Sequence, residues 1–315
     1  MEHLTIGVHI AAAGTVELVD RIVEAEQVGV EVAWLTVGGL APDPFAVFAA
    51  AAGRTGRIEF GTSIVPTFSR HPLTMAQGAM SVDQLAPGRL RLGVGPSHKP
   101  FVEPTWGIPF ERPQAHLREY LTILKAVLNE GSVSFHGELL HAEARIAGPT
   151  QVRVMASALR KKGFHLCGEL AEGAISWMCP LPYIRDVAAP ALQAGADAAG
   201  RPKPKMIVHT PVVVCEDAEA IHAAARSQFG FYQRMPYYSN MLQDAGYPEA
   251  ADQEFTDRMA DALILSGSEK EVADKIRALP RFGADEMLAA IVMLPDDPAP
   301  AARRTLGLLG ELAQE

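Results

Sequence analysis

The chain has 315 residues, 48% of them hydrophobic and 21% charged, with a formal net charge of −9. That balance describes a globular protein whose core needs no covalent staples, and the negative charge excludes a nucleic-acid surface, since Lys161-Lys162 and the pair Lys203/Lys205 are too short to form one. Three cysteines (Cys167, Cys179, Cys215) without a C-x-x-C spacing speak against a disulfide framework or a zinc site, and no apolar run approaches the ~20 residues of a membrane helix.

The opening MEHLTIGVHI has no basic stretch ahead of its apolar residues, so it reads as a strand rather than a signal peptide, and the expected location is the cytoplasm. The strand covers residues 4–9. Its helix carries Val16, Val19, Ile22 and Val23 and closes at Gly29. A second strand, 32–35, precedes a helix opened by Pro44. The third, 59–64, is interrupted by Gly61, Thr62 and Ser63 and stopped by Pro66, which has no amide hydrogen for a sheet ladder. A fourth strand, 90–94, leads to a helix with Leu117, Leu121, Leu124 and Leu128 on one face.

Residues 132–146, SVSFHGELLHAEARI, alternate about a glycine and predict an inserted hairpin. Strands at 152–156 and 174–178 follow, each with a helix, then strands at 206–214 and 287–292 and a closing helix near 303–312. Between the last two strands lies a long segment, 229–263, holding Phe231, Tyr232, Tyr237, Tyr238 and Tyr247; it predicts a helical lid, or alternatively a long helix pair packed by the same rings. Eight strand–helix units, each strand apolar enough for burial on both faces, predict a single-domain (β/α)₈ TIM barrel over residues 1–315.

In such a barrel the chemistry sits where the strands end. The polar residues there are His9, Thr36, Ser63, the run Gly93-Val94-Gly95-Pro96-Ser97-His98, the loop Ser157-Ala158-Leu159-Arg160-Lys161-Lys162, and Ser176-Trp177. Positive charge is unfavourable at a helix N-terminus unless an anion compensates it, so Arg160-Lys161-Lys162 reads as an anion site of phosphate type. Ser268-x-x-Glu271 is a capping box with no functional weight. The chain contains no G-x-G-x-x-G, P-loop, H-E-x-x-H or nucleophile elbow, and its histidines and carboxylates assemble no metal triad. Residue chemistry alone therefore reaches a barrel with a polar rim and an anion site.

Three stretches carry a resemblance: LTIGVHI, IEFGTSIVPTFSRHPLTMAQGAMSVDQLAPGRLRLGVGPSH and GELAEGAISWM. With the hairpin insertion, they resemble the bacterial luciferase-like flavin and deazaflavin oxidoreductases over essentially the whole chain. GVGPSH followed by REYLTILKAVL is most similar to the subgroup using coenzyme F420, an 8-hydroxy-5-deazaflavin. The resemblance implies hydride transfer between that ring and a small organic substrate, with a non-proline cis peptide at Ser63–Ile64 backing the ring. It places cofactor contacts at Thr36, Ser63, Ile64, Gly95, Ser97, His98, Ala158, Leu159, Arg160 and Lys161, with His98 as the catalytic acid. His9, Trp34 and Trp177 are the expected pocket walls, the aromatic insertion points to an apolar substrate, and the assembly implied is a homodimer.

The chain departs from the family pattern in two places. Leu159-Arg160 stands where many relatives have two glycines, so charge-assisted contacts from Arg160 would replace backbone ones. Thr36-Val37 stands where sugar-phosphate dehydrogenases of the family have Asp-His, which removes the base for alcohol oxidation. The alternatives are reduced FMN in a monooxygenase, served by the same loops, and a non-catalytic flavin-binding barrel. Basic residues near the mouth (Arg70, Lys99, Arg160) favour F420 with its acidic oligoglutamate tail.

Overall fold

Eight parallel strands close on themselves: β1 (Thr5–His9), β2 (Val32–Leu35), β3 (Glu59–Thr62), β4 (Leu90–Gly95), β5 (Arg153–Ser157), β6 (Gly173–Trp177), β7 (Lys205–Val214) and β8 (Glu286–Ile291). Each pairs with the next and β8 returns to β1, so these eight strands close without an edge. This is a computed structural model that describes residues 3–296 and 298–315. The strands expected from sequence are all present, with boundaries shifted by a residue or two.

Helices cover the outside. In Thr15–Val28 the buried face is Leu18, Val19, Ile22 and Ala25, and Gly29 ends it at φ 99, a left-handed turn that glycine enters freely. The predicted hairpin is formed by Ser132–His136 and His141–Arg145. The segment after β7 folds into the helices Ala218–Phe229, Pro236–Asp244 and Asp257–Leu263, with short 3₁₀ turns between them. Among the described residues no helix is long and apolar enough to cross a membrane.

Alternation along the strands sends every second side chain into the barrel, and these fall into layers. The lowest layer is ionic. Arg91 pairs with both Glu59 and Glu286, and Arg153 Nη2 lies 2.7 Å from Glu59 Oε2. Arg91 is 4% exposed and Glu286 not at all. Burial pushes the Glu286 carboxyl up from its ordinary range, and Arg91 opposes that rise.

The middle layer is apolar: Val32, Trp34, Met155, Ile175, Ile207 and Leu288, with Ile64 packed against it. Trp34 corrects the sequence reading. It is fully buried, one layer below the mouth, and cannot be a wall of an open pocket. Gly7 and Gly61 explain how it fits, because a Cβ on either would overlap the indole. The glycine that interrupts the third strand is thus space for the tryptophan of the second.

Gly93 solves a similar problem. A Cβ there would collide with the Thr62 carbonyl oxygen and with Ile175 Cδ1, and the first of these is backbone that cannot swing aside. Gly93→Ala is expected to destabilise the fold by about 1–3 kcal/mol, the usual cost of overpacking a tight core. The midpoint of urea unfolding measures it.

Candidate active site

The third strand stops early. After Thr62 its ladder is replaced by the Ser63–Ile64 peptide, which is cis as the family resemblance implied, and pairing with β4 resumes only at Val65 and Pro66. Local hydrogen bonds hold the break. Ser63 donates its N–H to Leu35 O at 2.8 Å, Val37 donates to Ile64 O at 3.2 Å, and Thr62 Oγ1 donates to Gly93 O at 2.7 Å. The Thr36 hydroxyl donates to Ser63 O at 2.9 Å and lies 3.2 Å from Ser63 Oγ. Thr36 thereby braces the bulge. Gly95 leaves room for the Ser157 hydroxyl next to Ile64.

Above this floor runs an arc of rings. His9, at the end of β1, lies 5.9 Å from His209, and His209 lies 4.1 Å from Trp177 at the end of β6. Trp177 meets Tyr232 at 5.9 Å; Tyr232 meets Tyr238 at 4.7 Å; and Tyr238 meets His98 at 5.2 Å. The insertion therefore reaches the mouth as the expected lid, through Tyr232 and Tyr238. Tyr247 does not take part; it lies under Arg258 at 4.4 Å.

The imidazoles are held neutral. Burial lowers His9 and His98 to about 4, and His209 falls well below its ordinary value because of burial and the neighbouring His9. His98 Nδ1 and His209 Nε2 are buried without a hydrogen-bond partner, which is costly unless a ligand supplies one. Backbone conformation is also unusual here: Ser97 (φ 62) and Met178 (φ 52) lie in the left-handed region that side chains disfavour, at the ends of β4 and β6.

The expected anion loop is partly rearranged. Ala158 is buried and gives its N–H to Ile175 O at 3.0 Å, so it has no amide for a phosphate, and the open stretch begins at Leu159. Arg160 sits at the N-cap of helix Lys161–Leu170 and is bound through Nε and Nη2 to Asp244 of the lid, at 3.0 and 2.9 Å. The compensating anion for Arg160 is thus a lid carboxylate. The other mouth cations are paired too, Arg70 with Asp43 and Lys99 with Glu103 at 3.7 Å. Among the described residues Lys161 and Lys162 have no ion-pair partner; with Arg118 and His165 they line a hollow of about 560 Å³.

His209 was missed in the sequence. The signal was available, since it stands two positions beyond the inward Ile207 in a mostly apolar strand, but reading it required knowing which face of β7 points inward. Among the described residues no cluster of His, Cys, Asp or Glu could hold a metal ion.

A closed (β/α)₈ barrel with buried, unpartnered polar groups at the carboxyl ends of its strands is a barrel enzyme with its site at that mouth. The chain belongs to the luciferase-like monooxygenase family, whose sequence model matches residues 5–286. One relative is the F420-dependent glucose-6-phosphate dehydrogenase of Nakamurella multipartita, 28% identical over 284 residues, 84% of this chain and 83% of that one. Among solved structures, the coenzyme F420-dependent tetrahydromethanopterin reductase of Methanopyrus kandleri superposes with a TM-score of 0.77 at 20% identity, covering 98% of each chain. A type II Baeyer–Villiger monooxygenase of Pseudomonas putida, in complex with FMN, gives 0.76 at 19% identity over 99% of each chain. Both structural likenesses establish the fold.

Proposed function

We propose that this protein is an F420-dependent oxidoreductase that transfers a hydride between the deazaflavin and a small organic substrate. The observation that carries this reading is the floor of the mouth: Ile64 closes the apolar interior from above, while the hydroxyls of Thr36, Ser63 and Ser157 surround it. A flat ring with polar edges fits such a floor, and the partnerless His98 Nδ1 and His209 Nε2 supply hydrogen bonds toward it. The anionic end of the cofactor belongs at the N-terminus of helix Lys161–Leu170, where Lys161 and Lys162 add charge. Bound there, the ring supplies a carbon that gives or accepts a hydride as a two-electron carrier.

The chain's own part is to aim and to move a proton. His98 stands at the start of helix Lys99–Trp106 under Tyr238. In the free chain burial holds its imidazole neutral. In the direction of reduction, negative charge developing on a substrate oxygen draws its pKa back up, so that it serves as the acid. Tyr232 and Tyr238 exclude water from above. The homodimer implied by the resemblance is part of this reading, and light scattering on the purified protein checks it.

Titration of the purified protein with F420 and with FMN, followed by tryptophan quenching, tests the cofactor. F420 is expected to bind at least about tenfold more tightly; preference for FMN overturns the reading. His98→Gln is expected to lower turnover by about 10²-fold while weakening F420 by no more than about tenfold, the share of one hydrogen bond to the ring, measured by steady-state kinetics and the same titration. FMN stands as the second reading for a specific reason: Arg70, Lys99 and Arg160, the cations suited to an oligoglutamate tail, are each occupied by a carboxylate of this chain.

A further inference from the structure

The cations expected to meet an acidic tail are already paired within the chain: Arg70 with Asp43, Lys99 with Glu103 and Arg160 with Asp244. Uncommitted ones begin at the very next residue. Lys161 and Lys162 open helix Lys161–Leu170 and line the hollow of about 560 Å³ that this helix shares with helix Pro113–Lys125. Gln114, Ala115 and Arg118 face it from the second helix. Gln114 reaches toward the first: its Nε2 lies 4.0 Å from the point where a Cβ on Gly163 would stand, and among the described residues it makes no hydrogen bond.

Charge in the hollow is one-sided. Glu169 pairs with Arg118 and lies 3.0 Å from His165 Nδ1, which leaves Lys161 and Lys162 uncompensated. Neither helix carries an acidic residue in its first turn, so the partial positive charge of the helix ends adds to that of the lysines. The rest of the wall is apolar, formed by Ala115, Leu166 and the methylene stems of Arg118 and the lysines. A lone phosphate would use the ammonium groups and leave this wall bare. A chain of carboxylates on methylene arms uses both, its charges meeting the cations and its arms the apolar wall.

We propose that this hollow holds the oligoglutamate tail of F420, and that Lys162, Arg118 and Gln114 distinguish a long tail from a short one. The inference rests on the F420 reading and deepens it. FMN ends at its phosphate and places nothing in the hollow, so the hollow discriminates between the two cofactors where the paired cations of the mouth do not.

F420 carrying one glutamate and F420 carrying five, titrated into the full chain and read by calorimetry, test the idea. The five-glutamate form is expected to bind at least about tenfold more tightly, since each added carboxylate gains a modest solvent-exposed contact. That advantage should shrink to within about twofold at about 0.5 M salt, where screening is short-ranged. The double variant Arg118→Gln/Lys162→Gln should also bring the ratio within about twofold at low salt. Equal affinity for the two forms in the wild type overturns the proposal while leaving the cofactor reading intact, and a length advantage that persists in the folded double variant overturns it as well. If neither form binds, the cofactor reading fails, and γ-linked pentaglutamate alone, followed by ligand-observed NMR, decides on the hollow. Binding that is lost in the double variant supports a polycarboxylate site there; no binding overturns it.

Discussion

Glu286→Ala is expected to cost about 3–5 kcal/mol of stability, because it strands a buried guanidinium. Arg91 and Glu286 face each other in the lowest layer of the barrel, and almost no water reaches either. Removing the carboxylate leaves Arg91 with only Glu59, which is half-buried and shared with Arg153. Replacing both partners by apolar groups, as in the double variant Arg91→Met/Glu286→Leu, should cost much less, since no charge is then left alone in the interior. Urea unfolding of the wild type, the single variant and the double variant gives the comparison. Equal losses in the two variants would mean that the ion pair itself, rather than the stranded charge, holds the layer together.

The second large effect follows from the mouth. His9 and His98 titrate near 4 in the folded chain against an ordinary 6.5. Their folded values lie below the unfolded ones, so the stabilisation is fully present above pH 6.5 and is lost as pH falls toward 4. Each imidazole is linked to on the order of 3 kcal/mol over that window. The rings that face them, His209 for His9 and the tyrosines 237 and 238 for His98, offer no negative charge to soften the loss. Unfolding midpoints should therefore drop steeply between pH 6.5 and 4, and His9→Gln and His98→Gln should each flatten the curve. A wild-type midpoint that stays level over this range would show that the imidazoles charge without cost.

Strand count and order were legible in the sequence, since parallel strands buried on both faces appear as short apolar runs such as MIVHTPVVV. The hairpin was legible through its alternation and Gly137. The early stop of the third strand was visible as an anomaly, and family resemblance gave it a meaning; the packing reason for Gly61 needed the indole of Trp34 to be placed. What the sequence hid depends on register. Glu59, Arg91, Arg153 and Glu286 are spread over more than two hundred residues, and only closure of the barrel brings them together. The same holds for Asp244, whose capture of Arg160 could not be foreseen from a basic loop and a distant lid helix.

The three tryptophans occupy three different surroundings. Trp34 is sealed in the barrel interior, Trp106 is 41% exposed at the end of its helix, and Trp177 stands among the rings of the mouth. The chain thus carries its own set of optical reporters. Acrylamide should extinguish chiefly Trp106, a ligand at the mouth should perturb chiefly Trp177, and the blue-shifted emission of Trp34 should persist until the barrel itself opens. With Trp106→Phe in place, a single emission spectrum separates occupancy from unfolding.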